Sequence, residues 1–317
     1  MPQVVCLGIL VADVYGKPVD EWPERGRLSV VDDMGIGLGG CAANTGQCLI
    51  KLGVDTAIVG KVGNDGFGRF CTDTLRSAGA DVSGIVVDGA PGTSASMVMI
   101  DSSGERTFLH FPGMNGKLRT DELDFAVITN CQIFHCAGAL VMGDFDGAPM
   151  AECLRRAQEA GVTTALDTVY NDKSGWMDKL APCLRHTDVF LPSLAEAQKL
   201  TDAQQPEVVA ERLLATGPRI VGIKMGEHGS YVRTADQELR LPAYEVEVLD
   251  GTGAGDAFVA GFLRGMLESW DLERTAKFGN AVGGLCTTGI GTTAGVRDFA
   301  GTLAFLAEQE PDYWTTA

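Results

Sequence analysis

Short apolar runs, many rich in β-branched residues, recur along this chain. They are "VVCLGIL" (4–10), "TAIVGKV" (56–62), "CQIFHCAG" (131–138), "VTTALD" (162–167), "DVFLP" (188–192) and "RIVGIKM" (219–225). Such near-continuous hydrophobicity belongs to strands buried on both faces. Between most of them apolar positions fall at helical spacing, over 66–78, 147–160 and 194–200. The alternation predicts crossover units and therefore an α/β chain of three layers, a mostly parallel sheet with helices on both faces. "YEVEVL" (244–249) alternates as a strand does, and Phe258, Phe262 and Met266 then recur every four residues, which predicts a helix from about Ala254.

Two segments depart from this alternation. Residues 14–38 and 93–113 hold period-two patterning, with a turn at "DSSGER" and no intervening helix, and predict a small accessory sheet set into the main fold as a lid. No repeat, low-complexity tract or linker divides the chain, so residues 1–317 read as one domain. The uncharged stretch 278–296 carries six glycines and four threonines, which suits a helix, a turn and a loop better than a membrane span.

Composition removes further classes. With 317 residues, 45% of them hydrophobic, the chain can bury a large core. A formal charge of −17 argues against a nucleic-acid partner, whose phosphates need a lysine and arginine footprint. An anionic ligand must be held by local devices. The nine cysteines are scattered and form no CxxC pair, so zinc and dithiol chemistry are disfavoured. With no secretory leader pattern at the start, reduced thiols and a cytoplasmic location are expected.

The predicted strand-to-helix turn "DGTGAGD" (250–256) carries chemistry. The first amides of a helix lack intrahelical acceptors and sit at the positive end of its dipole. At Gly253, Ala254 and Gly255 little side chain blocks an anion from those amides. Asp256 then falls in the first turn, where a carboxylate could take a proton from a hydroxyl beside a bound phosphate. Ordinary capping explains such a turn equally well when it stands alone.

It does not stand alone. "GGCAANTGQCLIKLG" (39–53) opens another helix on two glycines with Asn44 in its first turns, Asp13 follows the first strand, and "GKVGNDGFG" (60–68), Glu196 and "KMGEHG" (224–229) lie between them and the late turn. In order and spacing this set resembles the ribokinase-like (PfkB) carbohydrate kinases along nearly the whole chain. The resemblance implies phosphorylation of a sugar hydroxyl from ATP, with magnesium. It makes Asp256 the base and the amides of Gly253, Ala254 and Gly255 the anion hole, with Thr252 beside the nucleotide. Asp13, Gly39, Gly40 and Asn44 match sugar-binding positions, although capping or turn roles explain Asp13 and Asn44 as well. Glu196 matches a glutamate that organises magnesium through water, but Ser193 stands where asparagine is usual, and a surface helical glutamate is the plain alternative. Lys224, Gly226 and Gly229 resemble the nucleotide-side turn, and Asn280 in "GNAVGG" the helix start near adenine. A lid of this kind would close over the sugar to exclude water, and is the expected face for a homodimer.

Departures from the pattern bear on substrate and cation. Relatives often hold potassium through the aspartate at Asp250 and a late loop, here "GIGTTAG" (289–295). Gly251 and Gly295 replace the usual side chains, so weak activation is expected. "DTVYN" (167–171) lacks the arginine that sugar-acid and fructose kinases of the family carry, and "AGALVMG" (137–143) lacks the usual ribokinase glutamate. Without an arginine clamp, a neutral monosaccharide ranks above a nucleoside, which Phe108 and Phe111 could shelve. A sugar phosphate ranks last, with Arg106 the one lid arginine to receive it. Two other classes compete. "GIGLGG" (35–40) with Asp55 fits a dinucleotide fingerprint and hence an NAD-dependent oxidoreductase, although Asp32 and Asp33 sit poorly in a buried strand. A sugar sensor would need a damaged late turn.

Overall fold

The protein is described from a computed structural model covering residues 1–171, 173 and 175–314. Its strands are β1 Val4–Gly8, β2 Val11–Lys17, β3 Asp33–Gly39, β4 Thr56–Gly63, β5 Asp81–Asp88, β6 Ala95–Ile100, β7 Arg106–Phe111, β8 Ile133–Ala139, β9 Thr163–Thr168, β10 Val189–Phe190, β11 Ile220–Lys224, β12 Ser230–Arg233 and β13 Glu238–Leu241. Among the described residues nine of them form the main sheet, in the order β13-β12-β11-β10-β9-β8-β1-β4-β5. The strands from β11 to β5 run parallel; among the described strands of this sheet β12 alone is reversed, pairing antiparallel with both β11 and β13. Along β1 successive side chains enter opposite cores. Val4 and Cys6 pack with the helices Cys41–Lys51 and Ala254–Leu267, whereas Val5 and Leu7 pack with Ala148–Glu159 and Pro206–Leu214. This is the three-layer arrangement that the apolar runs predict.

The helix expected over 66–78 is Gly66–Ala78, capped by Asp65, whose carboxylate accepts from the Gly68 amide at 2.8 Å. Residues 278–296 finish the helix Leu272–Cys286 and pass into a loop, as expected. Among the described residues no helix is long and apolar enough to cross a membrane, and all nine cysteines are free thiols.

Residues 244–249 differ from expectation. Their alternation reflects an extended chain, but they join no ladder. Pro242 ends β13 without a backbone donor, and the Leu249 and Asp250 amides turn instead to the carbonyl of Thr287, at 2.8 and 3.1 Å. The strands β5, β12 and β13 were not expected. β5 and β13 are the edge strands, whose partly exposed positions admit polar residues, whereas β12 is buried but only four residues long, with Ser230 and Arg233 at its ends.

The accessory sheet is present, in the order β3-β2-β6-β7, and its β6–β7 hairpin turns at the predicted place. The chain passes from β1 to β2 across only Ile9 and Leu10, so the base of the small sheet is fixed to the centre of the large one. This placement overturns the dinucleotide alternative. "GIGLGG" ends β3, which pairs antiparallel with β2 outside the main sheet, and Asp32 and Asp33 are exposed, Asp33 facing Lys17 at 3.5 Å. There is no parallel strand feeding a crossover at that point.

Candidate active site

Gly253 holds φ at 81°, and a Cβ there would lie 2.0 Å from the Thr292 carbonyl oxygen, so this residue must be glycine for the turn to press against the late loop. The helix Ala254–Leu267 starts from it and carries Asp256 in its first turn. The Asp256 Oδ2 accepts from Asn44 Nδ2 at 2.8 Å, and the Cys41 thiol hydrogen-bonds the same carboxylate. Burial raises the Asp256 pKa, while the Asn44 amide and the Lys224 charge oppose the rise. Asn44 Oδ1 is buried with no partner among the described residues and remains available as an acceptor.

Behind the turn stands Lys224, whose Nζ contacts Asp167 Oδ2 at 2.7 Å and would lie 3.5 Å from a Cβ on Gly255. Burial pushes the Asp167 carboxyl up to about 7 against the attraction of Lys224, with Glu196 and Asp256 adding to the rise. Burial disfavours the Lys224 charge, but the carboxylates of Asp167 and Glu196 outweigh it and hold the lysine protonated. Glu196 is 6% exposed, which corrects the surface-glutamate alternative. It closes a capping box with Ser193, accepting from the Ser193 amide at 2.7 Å while Ser193 Oγ accepts from the Glu196 amide at 3.4 Å. Serine at the usual asparagine position therefore still caps this helix. On the turn over residues 226–229, a Cβ on Gly229 would lie 2.1 Å from the Leu241 carbonyl oxygen, and Asn280 Nδ2 donates to the adjacent Pro242 carbonyl at 3.0 Å. The left-handed Gly226 opens that turn two residues after Lys224.

The small sheet supplies the opposite wall. Asp13, Ser96 and His110 lie in one row across β2, β6 and β7, with Ser96 Oγ 3.1 Å from His110 Nδ1. Burial raises the Asp13 pKa, and the Ser96 hydroxyl, His110 and Arg106 oppose the rise. A Cβ on Gly39 would fall 2.1 Å from Asp13 Oδ2, and one on Gly40 would fall 2.3 Å from the Ile9 carbonyl oxygen, so the glycine pair makes room for Asp13 and for the close approach of two backbone segments. At the start of β7, Arg106 reaches across to Asp250 and to the Thr252 hydroxyl. A cleft of about 520 Å³ runs between the sheet and the late loop, bordered by Asp13, Tyr15, Arg106, Phe108, Thr252 and Gly291. Asp256 does not border it; it lies past Thr252, against Asn44 and Cys41. Phe108 borders the cleft, whereas Phe111 does not.

The chain matches the model of the "pfkB family carbohydrate kinase" over residues 1–298. It belongs to the pfkB carbohydrate kinase family. An ATP-dependent ribose-1-phosphate kinase of Halopiger xanaduensis is 32% identical over 310 residues, 98% of this chain and 99% of that one. Fructokinase-1 of Oryza sativa is 28% identical over 266 residues, 79% and 82% of the two chains. Among solved structures, a putative ribokinase II of E. coli in complex with ATP and Mg²⁺ superposes with a TM-score of 0.85 at 24% identity, over 97% of this chain and 100% of that one. The chain is thus an ATP-dependent pfkB kinase of sugars with a ribokinase-like fold. Of the residues anticipated for this family, Asp256, Asn44, the Gly253–Gly255 turn, Lys224 and Glu196 draw together at one helix start, and Asp13, Gly39, Arg106, Thr252 and Asp250 gather along the adjoining wall. Asp167, Cys41 and Ser96 were not anticipated. Asp167 lies in "DTVYN", and a carboxylate near the end of a buried strand is the sequence signal that marks it.

Proposed function

We propose that this pfkB kinase transfers the γ-phosphoryl group of ATP to a hydroxyl of a small neutral monosaccharide, with Asp256 as general base. The observation carrying this reading is the Asp256 carboxylate, held by Asn44 beside the amides of a helix start and raised in pKa by burial. A base with an elevated pKa accepts a hydroxyl proton more readily while phosphoryl transfer proceeds. The amides of Gly253, Ala254 and Gly255 face the charge that develops on the moving group, and Lys224 stands behind them. Asp13, the free Asn44 Oδ1 and the backbone at Gly39 and Gly40 bind the sugar hydroxyls. The turn at Gly226 and Gly229 with Asn280 receives the nucleotide base. Buried Glu196 suits magnesium held through water, the triphosphate providing the remaining ligands. Asp250 is already engaged by Arg106, which fits weak potassium activation only.

The whole chain acts as one kinase domain, its small sheet serving as the lid. The face of that sheet turned away from Asp13 exposes Met34, Met97, Leu109 and Phe111, and suits a homodimer through paired lids. Arg106 is committed to Asp250 and Thr252, which favours a neutral sugar over an anionic one. The near-full-length likeness to a ribose-1-phosphate kinase supports a second reading, in which Arg106 turns to a substrate phosphate. ATP consumption measured across pentoses, hexoses, nucleosides, sugar acids and sugar phosphates separates the two. Turnover highest on a neutral sugar is the expected result. A clear preference for a phosphorylated sugar overturns the neutral reading and leaves the kinase assignment standing.

A further inference from the structure

Among the described residues, the side-chain hydrogen bonds between the anion turn and the small sheet come from Arg106, while the neighbouring late loop reaches β3 through the Thr292 hydroxyl, which donates to the Leu38 carbonyl at 3.3 Å. Asp250 is the first residue of that turn, and its side chain is 7% exposed. Its Oδ1 accepts the Thr252 amide at 3.0 Å and its Oδ2 accepts the Gly291 amide at 2.7 Å, both neutral donors. Among the described residues its one ion-pair partner is Arg106, 20% exposed, whose other terminal nitrogen donates to the Thr252 hydroxyl. A nearly buried carboxylate requires a compensating charge. Here that charge comes from β7, 144 residues away in sequence. One guanidinium therefore joins the small sheet, the residues leading into Gly253 and, through Asp250, the late loop at Gly291.

We propose that Arg106 is a cationic latch, a positioning residue that neutralises Asp250 only while the lid is closed and so couples closure to assembly of the anion turn. This rests on the phosphoryl-transfer reading of that turn. When the lid lifts, Asp250 loses its Arg106 partner and Thr252 loses a donor, so the turn that receives the phosphoryl group loosens. Whenever the lid opens over bound ATP the turn is left incomplete, which guards against wasteful hydrolysis. A small free cation could serve Asp250 electrostatically but could not report lid position. Its effect is therefore weak in the native chain and unmasked once Arg106 is removed.

The test compares Arg106→Ala, Arg106→Lys and Thr252→Val. Chymotrypsin cleavage within 93–115, measured with no ligand present, is expected to quicken in Arg106→Ala by roughly 10- to 100-fold, the factor expected when a charge-assisted hydrogen bond is lost. Thr252→Val, which breaks one contact and keeps the ion pair, is expected to show a smaller increase should the alanine variant not fold. In turnover assays on the best sugar, Arg106→Ala is expected to lose kcat with little change in the ATP KM. Millimolar guanidinium or potassium should restore part of that loss, and tetramethylammonium none; Arg106→Lys should retain most of the rate. Cleavage at the native rate in both Arg106→Ala and Thr252→Val, or an alanine variant whose lost rate no small cation restores, overturns the latch. Wild-type protein that phosphorylates no sugar would overturn the reading of the turn instead, while the cleavage comparison still stands.

Discussion

Replacing Asp256 by asparagine separates the chemistry from the fold at this site. The substitution removes one charge and keeps size, and the asparagine carbonyl oxygen can still accept the 2.8 Å hydrogen bond from Asn44 Nδ2. Burial raises the Asp256 pKa, so the folded protein holds its ionised form at a cost, although Asn44 and Lys224 reduce that cost. A raised carboxyl pKa means the folded state binds this proton more tightly than the unfolded state. The charge therefore weakens folding as pH rises past the unfolded value, and its removal should leave Tm at pH 7.5 unchanged or higher. Catalysis should respond in the opposite sense, because loss of general-base help lowers turnover by roughly 10²- to 10⁴-fold, or about 3 to 5 kcal/mol of barrier. Steady-state ATP consumption with the preferred sugar gives kcat, and a thermal melt of the same sample gives Tm. Wild-type kcat in the variant refutes the assignment of the base. A fall in kcat accompanied by a comparable loss of folded protein refutes the separation argued here.

Two other perturbations probe the walls of the site. Gly39→Ala would place a Cβ 2.1 Å from Asp13 Oδ2, and overpacking of about 1–3 kcal/mol should displace that carboxylate, raising the sugar KM roughly 5- to 100-fold while the ATP KM stays within about twofold; a rise confined to the ATP KM would move Asp13 off the sugar. Asp167, raised to about 7, destabilises the fold as pH climbs from its unfolded value near 4 towards 7, by up to about 1.4 kcal/mol per pH unit. Melts of Asp167→Asn from pH 4 to 8 should therefore lose less stability with rising pH than the wild type, and parallel curves would show that another group carries the titration.

How much of this was legible in the chain follows from burial. Strands buried on both faces announce themselves as apolar runs, and the six found this way all belong to the large sheet. β5 and β13 sit at its edges, where "DVSGIVVD" and "ELRL" mix polar with apolar positions, and β12, though buried, is the four residues "SYVR", too short to show as an apolar run. The turn at Gly253–Asp256 was legible because its chemistry depends on the backbone, which glycine marks openly. Asp167 was not. Its importance comes from Lys224, 57 residues distant, and no local pattern announces a pair made across β9 and β11. Arg106 was noticed as a lid cation, but its partners 144 and 146 residues on are joined to it only by tertiary folding. Period-two alternation at 244–249 misled because an extended chain has the same side-chain period whether or not it finds a ladder.

The same two cations bear on how a chain of formal charge −17 can handle a triphosphate. Lys224 is balanced by Asp167, and Arg106 by Asp250, so neither contributes a free positive charge to the site. Pairing also keeps them in place, which matters more for a loose transition state than for simple capture of an anion. The uncompensated positive potential is left to the helix start at Gly253 and to magnesium carried in with the nucleotide, both acting over a few ångströms. Distant acidic residues are screened beyond about 10 Å at ordinary ionic strength and do not cancel potential of such short range. A negative overall charge and the proposed phosphate-binding turn are therefore compatible in one molecule, because such a turn works through fixed dipoles at contact distance and the distant charges act through solvent.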